Sequence, residues 1–342
     1  MPSPTDRVRT LLDREGTVSN RAVVGALGVS PATAHRVLRA LVMAGALEAR
    51  GKGPAAVYAY PTIDRRFRLK GLEEDRAWQV VAEEIGRIRP LPSAEASSLQ
   101  YAAVEIINNA IDHSSGKKVR VTVQFGAGGS TVTTVADDGV GVFRKVCEDF
   151  GFSSAHEAIV QLEKGKLTSD PARHSGEGLF FTSKAVTRFR LESQSVAWVV
   201  DNVVGDSGIG TAAVRRGTQV VLEVVRGHTP RLEDVFRAYT DPRTLRFAKT
   251  RVTIKLGAHG RTLVSRSEAR RLLDGIGKFT HVTLDFSGID VVGQGFCDEV
   301  FRVFARAHPK IVLEPVGMSD AVAFMVQRAR AVSGGPKRSR KS

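Results

Sequence analysis

The sequence is short of several features, and each shortage excludes a class of protein. It has two cysteines in 342 residues, Cys147 and Cys297, which are far apart and lack metal-ligand spacing. A disulfide framework and a cysteine metal site are therefore not predicted. No apolar run approaches the roughly 18 residues that a membrane span needs, and the start, M-P-S-P-T-D-R, lacks a hydrophobic signal segment. We expect a soluble cytoplasmic protein with reduced thiols.

The composition is that of a globular protein with an excess of basic charge. Hydrophobic residues make up 42% and charged residues 25%, and the formal net charge is +14. The first sixty residues carry eight basic and four acidic side chains, and the last nine carry four basic ones. This surplus at the two ends favours a polyanionic partner. An Arg-rich proteome is the alternative explanation. The length predicts two or three domains.

The first sixty residues predict three helices and a hairpin. The helices are expected over residues 6–14, 21–27 and 31–44, and the strands over 47–50 and 55–60. Ser30 before Pro31 is a strong start signal for the third helix, because serine caps a helix and proline suits its first position. The pattern over residues 1–62 resembles bacterial winged helix-turn-helix domains.

The winged-helix resemblance implies double-stranded DNA as a partner, with the third helix in the major groove. The side chains expected to contact bases or phosphates are Arg21, Thr33, His35, Arg36, Arg39 and Lys52. A winged helix that docks a protein is the competing interpretation.

A second set of motifs predicts a nucleotide site. Glu105, Asn109 and Asp112 recur at i, i+4 and i+7, so a helix places them on one stripe. The motifs D-D-G-V-G, H-S-G-E-G-L and R-G-T-Q follow, beginning at residues 137, 174 and 216. Each motif alone is typical of a turn or a solvated helix face. Together they describe a polar helix face beside two glycine-rich turns.

These motifs, in this order, resemble the GHKL family of ATP-binding domains, which includes histidine-kinase catalytic domains, Hsp90, DNA gyrase B, MutL and anti-sigma-factor kinases. The resemblance implies a Bergerat-fold α/β sandwich over residues 66–227 that binds ATP with Mg²⁺. It implies that Asn109 supplies an oxygen to Mg²⁺, that Glu105 is the general base, and that Asp137 accepts from the exocyclic amine of adenine. The other residues expected to contact ATP are Gly139, Gly141, Lys166, Thr168, His174, Gly176, Gly178 and Thr218.

Two of these expectations have a general physical reason. Glycines let the backbone approach a ligand without a Cβ clash. A helix that begins after Gly176 and Gly178 would direct backbone N–H groups toward phosphate oxygens. The long charged segment over residues 143–174 occupies the place of the family's ATP lid.

Residues 250–332 alternate strand and helix patterns and resemble a STAS-like α/β domain, the fold of anti-sigma-factor antagonists. Those antagonists carry a phosphorylated serine before a helix, whereas Gly293, Gln294 and Gly295 stand there in this chain. The departure argues against an internal phosphoswitch, and a tight turn explains the glycines equally well. Residues 333–342 form a basic tail. The combined motifs resemble a bacterial family that fuses a GHKL domain to a STAS-like domain.

The sequence therefore predicts a multi-domain α/β regulator that binds ATP and DNA, and in which the nucleotide state controls the winged-helix and STAS-like domains. Two alternatives stay open. One is an anti-sigma-type serine/threonine protein kinase that acts on a separate partner. The other is a slow ATPase that forms a homodimer on ATP. A protein partner of the STAS-like domain is also expected, and a membrane partner is not.

Overall fold

The computed structural model describes residues 3–165, 177–239, 251–256, 262–273, 276, 279 and 281–333. The chain divides into two compact units, Met1–Phe236 and Arg237–Ser342. Within the described ranges, no helix has the length and apolar character needed to cross a bilayer.

The first unit begins with three helices and a small sheet. The helices are α1 (Pro4–Glu15), α2 (Asn20–Leu27) and α3 (Pro31–Met43); the strands β1 (Thr17–Ser19), β2 (Glu48–Arg50) and β3 (Val57–Ala59) pair antiparallel in the order β1-β3-β2. The side chains of Ser3, Ser19 and Ser30 each accept a hydrogen bond from a backbone N–H in the first helical turn. Leu12, Leu38 and their apolar neighbours form a separate core here, so the predicted helices and strands are present.

A larger antiparallel sheet follows, with strand order β4-β5-β6-β8-β7. Its elements are β4 (Ile63–Arg68), α4 (Glu74–Ile88), α5 (Ser93–His113), β5 (Lys118–Phe125), β6 (Ser130–Asp137), α6 (Val142–Phe150), α7 (Ala155–Lys164), α8 (Gly178–Ala185), β7 (Arg188–Asp201), β8 (Asp206–Val225) and α9 (Leu232–Tyr239). Val119, Val121 and Val123 alternate with exposed or half-buried residues along β5. One sheet face therefore packs on helices, and the other faces outward.

A buried arginine joins the N-terminal helices to this sheet. Arg89 is the first residue after α4, and it is only 3% exposed. Its guanidinium donates to the carbonyl oxygens of Gly129 and Ser130 at 2.6 and 3.1 Å. It also lies 3.7 Å from the carboxylate of Asp13 on α1 and over the ring of Tyr60. The contact holds α1 against the turn between β5 and β6.

The second unit has a parallel sheet with strand order β13-β11-β9, covered by helices. Its elements are β9 (Arg251–Lys255), β10 (Thr262–Leu263), α10 (Arg266–Leu273), β11 (His281–Asp285), β12 (Val291–Val292), α11 (Gln294–Asp298), a π-helical stretch (Glu299–Phe304), α12 (Ala305–Ala307), β13 (Val312–Val316) and α13 (Asp320–Ser333). A capping box starts α10, because Ser265 Oγ accepts from Glu268 N and Glu268 Oε2 accepts from Ser265 N.

The Gly-Gln-Gly stretch at the start of α11 begins with a glycine, Gly293, that has a packing explanation. A Cβ at Gly293 would lie 2.5 Å from the carbonyl oxygen of Val264. That distance is too short for any side chain, so the backbone approach requires glycine at this position. Crowding by Val264 therefore accounts for Gly293 without a ligand.

Candidate nucleotide site

Helix α5 presents the first group of predicted site residues. Glu105 and Asn109 are half-buried one turn apart, whereas Asp112 on the same stripe is exposed. The opposite face buries Ile106 and Ile107 in the core. The side-chain amide nitrogen of Asn109 is buried, and among the described residues it has no hydrogen-bond partner. A buried amide without a partner marks a place where a ligand is expected.

Asp137 stands at the end of β6 and is held by backbone groups. Its Oδ1 accepts hydrogen bonds from Gly139 N at 2.8 Å and from Thr218 N at 3.3 Å. The Oγ1 atom of Thr218 accepts from Val142 N at 2.9 Å, so the β8 strand also fixes the start of α6. Burial raises the pKa of Asp137, and the backbone hydrogen bonds act in the opposite direction.

Close backbone packing surrounds Asp137. Gly217 has φ +77°, and a Cβ there would collide with the carbonyl oxygen of Asp137. A Cβ at Gly139 would collide with the carbonyl oxygen of Ser114, and one at Gly141 with the hydroxyl of Ser193. The predicted glycines are therefore required by the approach of neighbouring protein atoms, in addition to any ligand.

The carboxylate of Glu105 lies against the start of α8. A Cβ at Gly178 would collide with Glu105 Oε2, so glycine at that position allows α5 and α8 to approach each other. Tyr101, one turn before Glu105, has its pKa raised by burial and by the charges of Glu105 and Glu177. The general base expected from the sequence thus faces the helix start expected to bind phosphate.

The residues present fit a nucleotide-bound magnesium ion. Among the described residues no three His, Cys, Asp or Glu side chains form a group that would hold a metal. Mg²⁺ beside a nucleotide does not need such a group, because phosphates and waters supply most of its oxygen ligands. Asn109 is the side chain that would supply a protein oxygen, through Oδ1, and its buried Nδ2, unpartnered among the described residues, would be free to donate to a phosphate or water oxygen.

Four predicted ATP contacts cannot be placed. Lys166, Thr168, His174 and Gly176 lie outside the described residues. Of the remaining site residues, Gly139 and Thr218 donate backbone N–H groups to the carboxylate of Asp137. Gly141 lies close to Ser193 and Gly217. The structure places Glu105 beside Gly178 on a neighbouring pair of helices.

The predicted DNA contacts lie on the N-terminal helices and hairpin. Five of the six residues are exposed: Arg21, His35, Arg36, Arg39 and Lys52. The sixth, Thr33, is half-buried. Thr33 N is bonded to the capping hydroxyl of Ser30, and Thr33 Oγ1 accepts from Arg36 at 3.4 Å. Ala34 and Leu38 are fully buried on the other face of α3. The polar and apolar faces of α3 are therefore as expected.

Comparison with known families adds two matches. Residues 71–201 match the histidine kinase-like ATPase domain, a range that includes Glu105, Asn109, Asp137 and Gly178. The chain carries a histidine kinase-like ATPase domain. Residues 268–323 match the STAS-like domain of unknown function (DUF4325), which confirms a C-terminal STAS-like domain. No curated protein matches the chain.

Two residues of the ATPase domain were missed by the sequence analysis. Gly217 stands directly before Thr218 in R-G-T-Q, and its neighbour alone was predicted as a site residue. Tyr101 is four residues before Glu105, so helical spacing was the available signal. Neither sequence position by itself indicates proximity to a proposed site residue, because the position of Gly217 beside Asp137 depends on the pairing of β8 with β6, and the charge of Glu177 near Tyr101 depends on the packing of α5 against α8.

Proposed function

We propose that the protein is an ATP-binding, DNA-binding regulator whose ATPase domain holds Mg²⁺-ATP between α5, the end of β6 and the start of α8. The observation that carries the proposal is the arrangement of Asp137. Its carboxylate is half-buried, and two backbone N–H groups fix Oδ1. A carboxylate accepts about four hydrogen bonds, so it retains capacity for the exocyclic amine of adenine.

In this proposal Asn109 holds Mg²⁺, and Glu105 orients or deprotonates the attacking group. Bound Mg²⁺ would supply charge neutralisation at the phosphates. The lid residues Lys166 and Thr168, with His174 and Gly176, would bind phosphate oxygens from the segment before α8.

A second function follows from the position of Glu105. A carboxylate beside the start of α8 serves equally for activating water or the hydroxyl of a protein substrate. The alternative is therefore an anti-sigma-type serine/threonine kinase. Incubation with γ-labelled ATP distinguishes the two, since a kinase transfers label to a protein and an ATPase releases it as phosphate.

We assign residues 1–62 to a winged helix that binds duplex DNA. The proposal is supported by three capped helices, a three-stranded antiparallel sheet and the exposed basic side chains of α3 and the hairpin. The domain limits that we propose for the rest are 66–227 for the ATPase domain, 250–332 for the STAS-like domain and 333–342 for the basic tail.

Regulation requires that ATP bind two states of the protein with different affinities. We propose that closure of the lid over ATP distinguishes these states and changes how the winged helix and the STAS-like domain are presented to DNA and to a protein partner. Slow hydrolysis would reset the switch. Dimer formation on ATP is the alternative means of coupling.

The first test is titration calorimetry with Mg²⁺-ATP. Asn109→Ala removes the proposed metal ligand, and Asp137→Asn replaces an acceptor-only group by one that also donates. We expect each variant to lose at least tenfold in affinity. Asp112→Asn is the matched control, because Asp112 is on the same helix stripe but exposed, and it should bind ATP normally. Unchanged affinity in both site variants would exclude this nucleotide site.

A further inference from the structure

The outer surface of the large sheet carries a cluster of basic side chains at the β4–β5 edge. Arg66, Arg68, Lys118 and Arg120 are all exposed there, and we call them the outer basic face. These side chains lie on the outward side of the sheet. Val119 and Val121, their neighbours on β5, are fully buried on the other side, and successive side chains on a strand alternate between the two sides.

The strand register brings these cations directly together. Arg66 pairs with Arg120 across the two strands, and Arg68 pairs with Lys118. Cross-strand partners have Cβ atoms about 5 Å apart, and like charges in this position destabilise a sheet. Residues two apart on one strand are separated by about 6.6 Å. The four positive charges thus form a compact grid, and their mutual repulsion lowers the stability of the folded sheet.

Only one member of this grid is neutralised within the described part of the chain. Arg120 makes two hydrogen bonds to Asp64, at 2.9 and 2.7 Å. Arg66, Arg68 and Lys118 make no side-chain ion pair or hydrogen bond to any described residue. Arg66 contributes to the positive field that lowers the pKa of Asp64, but none of the three cations is held in a direct ion pair there.

The opposite edge of the same sheet shows the contrast. Arg188 pairs with Asp201 and Glu223 at 2.8 and 3.0 Å, and Arg190 pairs with Glu192 at 2.6 Å. A general excess of arginine does not by itself explain this difference, since Arg188 and Arg190 have acidic partners, whereas Arg66 and Arg68 form no ion pair with a described residue. The β4–β5 edge keeps its charge available to an external anion.

We infer that the outer basic face binds the phosphate backbone of duplex DNA, as a second contact beside the one proposed for α3. A duplex is a dense polyanion with about one negative charge per 1.7 Å of its axis, so neighbouring phosphates are available to each cation of a compact cluster. The inference rests on the proposed function in its choice of DNA as the polyanion. It adds a different surface, on the ATPase domain, and predicts sequence-independent contacts because phosphates carry no base information.

The test is binding of the full chain to a duplex of arbitrary sequence, measured by fluorescence anisotropy over a range of salt concentrations. The grid variant combines Arg66→Gln, Arg68→Gln and Lys118→Gln. The control variant removes the same charge from residues that have acidic partners, through Arg144→Gln, Arg188→Gln and Arg190→Gln. ATP binding by calorimetry verifies that each variant is folded.

We expect the grid variant to bind DNA more weakly and its log–log salt slope to fall by about 2.7, which corresponds to three lost phosphate contacts. The control should keep a slope close to that of the wild type. Equal slopes in the grid and control variants overturn the inference. Binding of the wild type to vesicles containing phosphatidylserine, but not to DNA at low salt, also overturns it.

A third variant separates this inference from the proposed function. Arg36→Ala with Arg39→Ala removes the contacts proposed for α3 and leaves the outer basic face intact. If only this variant loses salt slope, the inference fails and the winged-helix proposal stands. If only the grid variant loses slope, the outer basic face binds DNA and the role proposed for α3 fails. Loss in both supports two contacts.

Discussion

At the scale of single residues, Asp137 combines a stability cost with a proposed binding role. Burial raises its pKa, so its contribution to stability is present at low pH and is lost as pH rises through the raised value. At neutral pH the ionised carboxylate therefore opposes folding. In the proposed adenine contact the ionised carboxylate is an acceptor only, whereas the protonated group also carries a donor, so the proposed affinity for ATP falls as the group becomes protonated.

We expect Asp137→Asn to raise the melting temperature at neutral pH while it weakens ATP binding. The asparagine oxygen still accepts from Gly139 and Thr218, but it carries no buried charge. The gain should shrink as pH is lowered, because the wild-type carboxyl then becomes neutral. Thermal unfolding across a pH series checks this. A variant that melts below the wild type at neutral pH would contradict it.

Glu105 is the second residue with a separable role. If it activates water or a hydroxyl, Glu105→Ala should retain ATP affinity while turnover falls by about 10²-fold or more. Phosphate release and label transfer measure turnover, and calorimetry measures binding. Asp112→Ala, on the exposed part of the same helix, is the control and should keep wild-type turnover. Equal turnover in both variants would remove Glu105 from the mechanism.

At the scale of elements, α9 packs across the two helices that flank the proposed phosphate end of the site. The ring of Phe236 lies 5.3 Å from Tyr101 on α5 and 4.8 Å from Phe181 on α8, measured between centroids. Tyr101 is one turn from Glu105, and Phe181 is in the first turn of α8. A shift of either helix would therefore change the ring contacts of Phe236 on α9.

We expect Phe236→Ala to lower the free energy of unfolding of the first unit by about 1–3 kcal/mol, from lost apolar area and two aromatic pairs. Phe324→Ala makes the same truncation at a residue that is 63% exposed, and it should cost about 0.5 kcal/mol or less. Denaturant unfolding monitored by circular dichroism measures both. Comparable losses in the two variants would show that the aromatic contacts of α9 contribute little.

At the scale of the whole molecule, the N-terminal helices are attached to the ATPase sheet through more than a flexible connection. Arg89 is buried between α1 and the β5–β6 turn, and the ring of Tyr60 lies 5.5 Å from that of Phe125. The β6 strand that starts at this turn ends at Asp137. One continuous strand therefore links the contact with α1 to the proposed adenine site.

The winged-helix proposal makes its own prediction at this scale. Arg36→Ala with Arg39→Ala should weaken binding to duplex DNA and reduce the log–log salt slope by about one unit for each phosphate contact removed. ATP affinity should stay unchanged, because Arg36 and Arg39 are on α3 and are not part of the proposed nucleotide site. An unaltered slope would assign the nucleic-acid contact to another surface or make α3 a protein-docking helix.

Much of the local structure follows from the sequence alone. Ser30 and Pro31 start α3, and the Ser265 and Glu268 pair starts α10, because capping depends on residues three apart. The stripe of Glu105 and Asn109 follows from helical spacing. The order of the glycine motifs also suffices to identify the histidine kinase-like ATPase domain, which the family match confirms.

The motifs do not show which distant residues meet in the fold, and long-range strand pairing determines this. Asp137 is held by Thr218, 81 residues later, because β6 and β8 are neighbours in the sheet. Arg66 faces Arg120 only through the register of β4 with β5. A register shift of one residue would turn every side chain to the other face. The sequence by itself determined which residues cap, alternate and turn, and the tertiary structure decided which distant charges and carboxylates meet, because cross-strand contacts depend on partners far away in the chain.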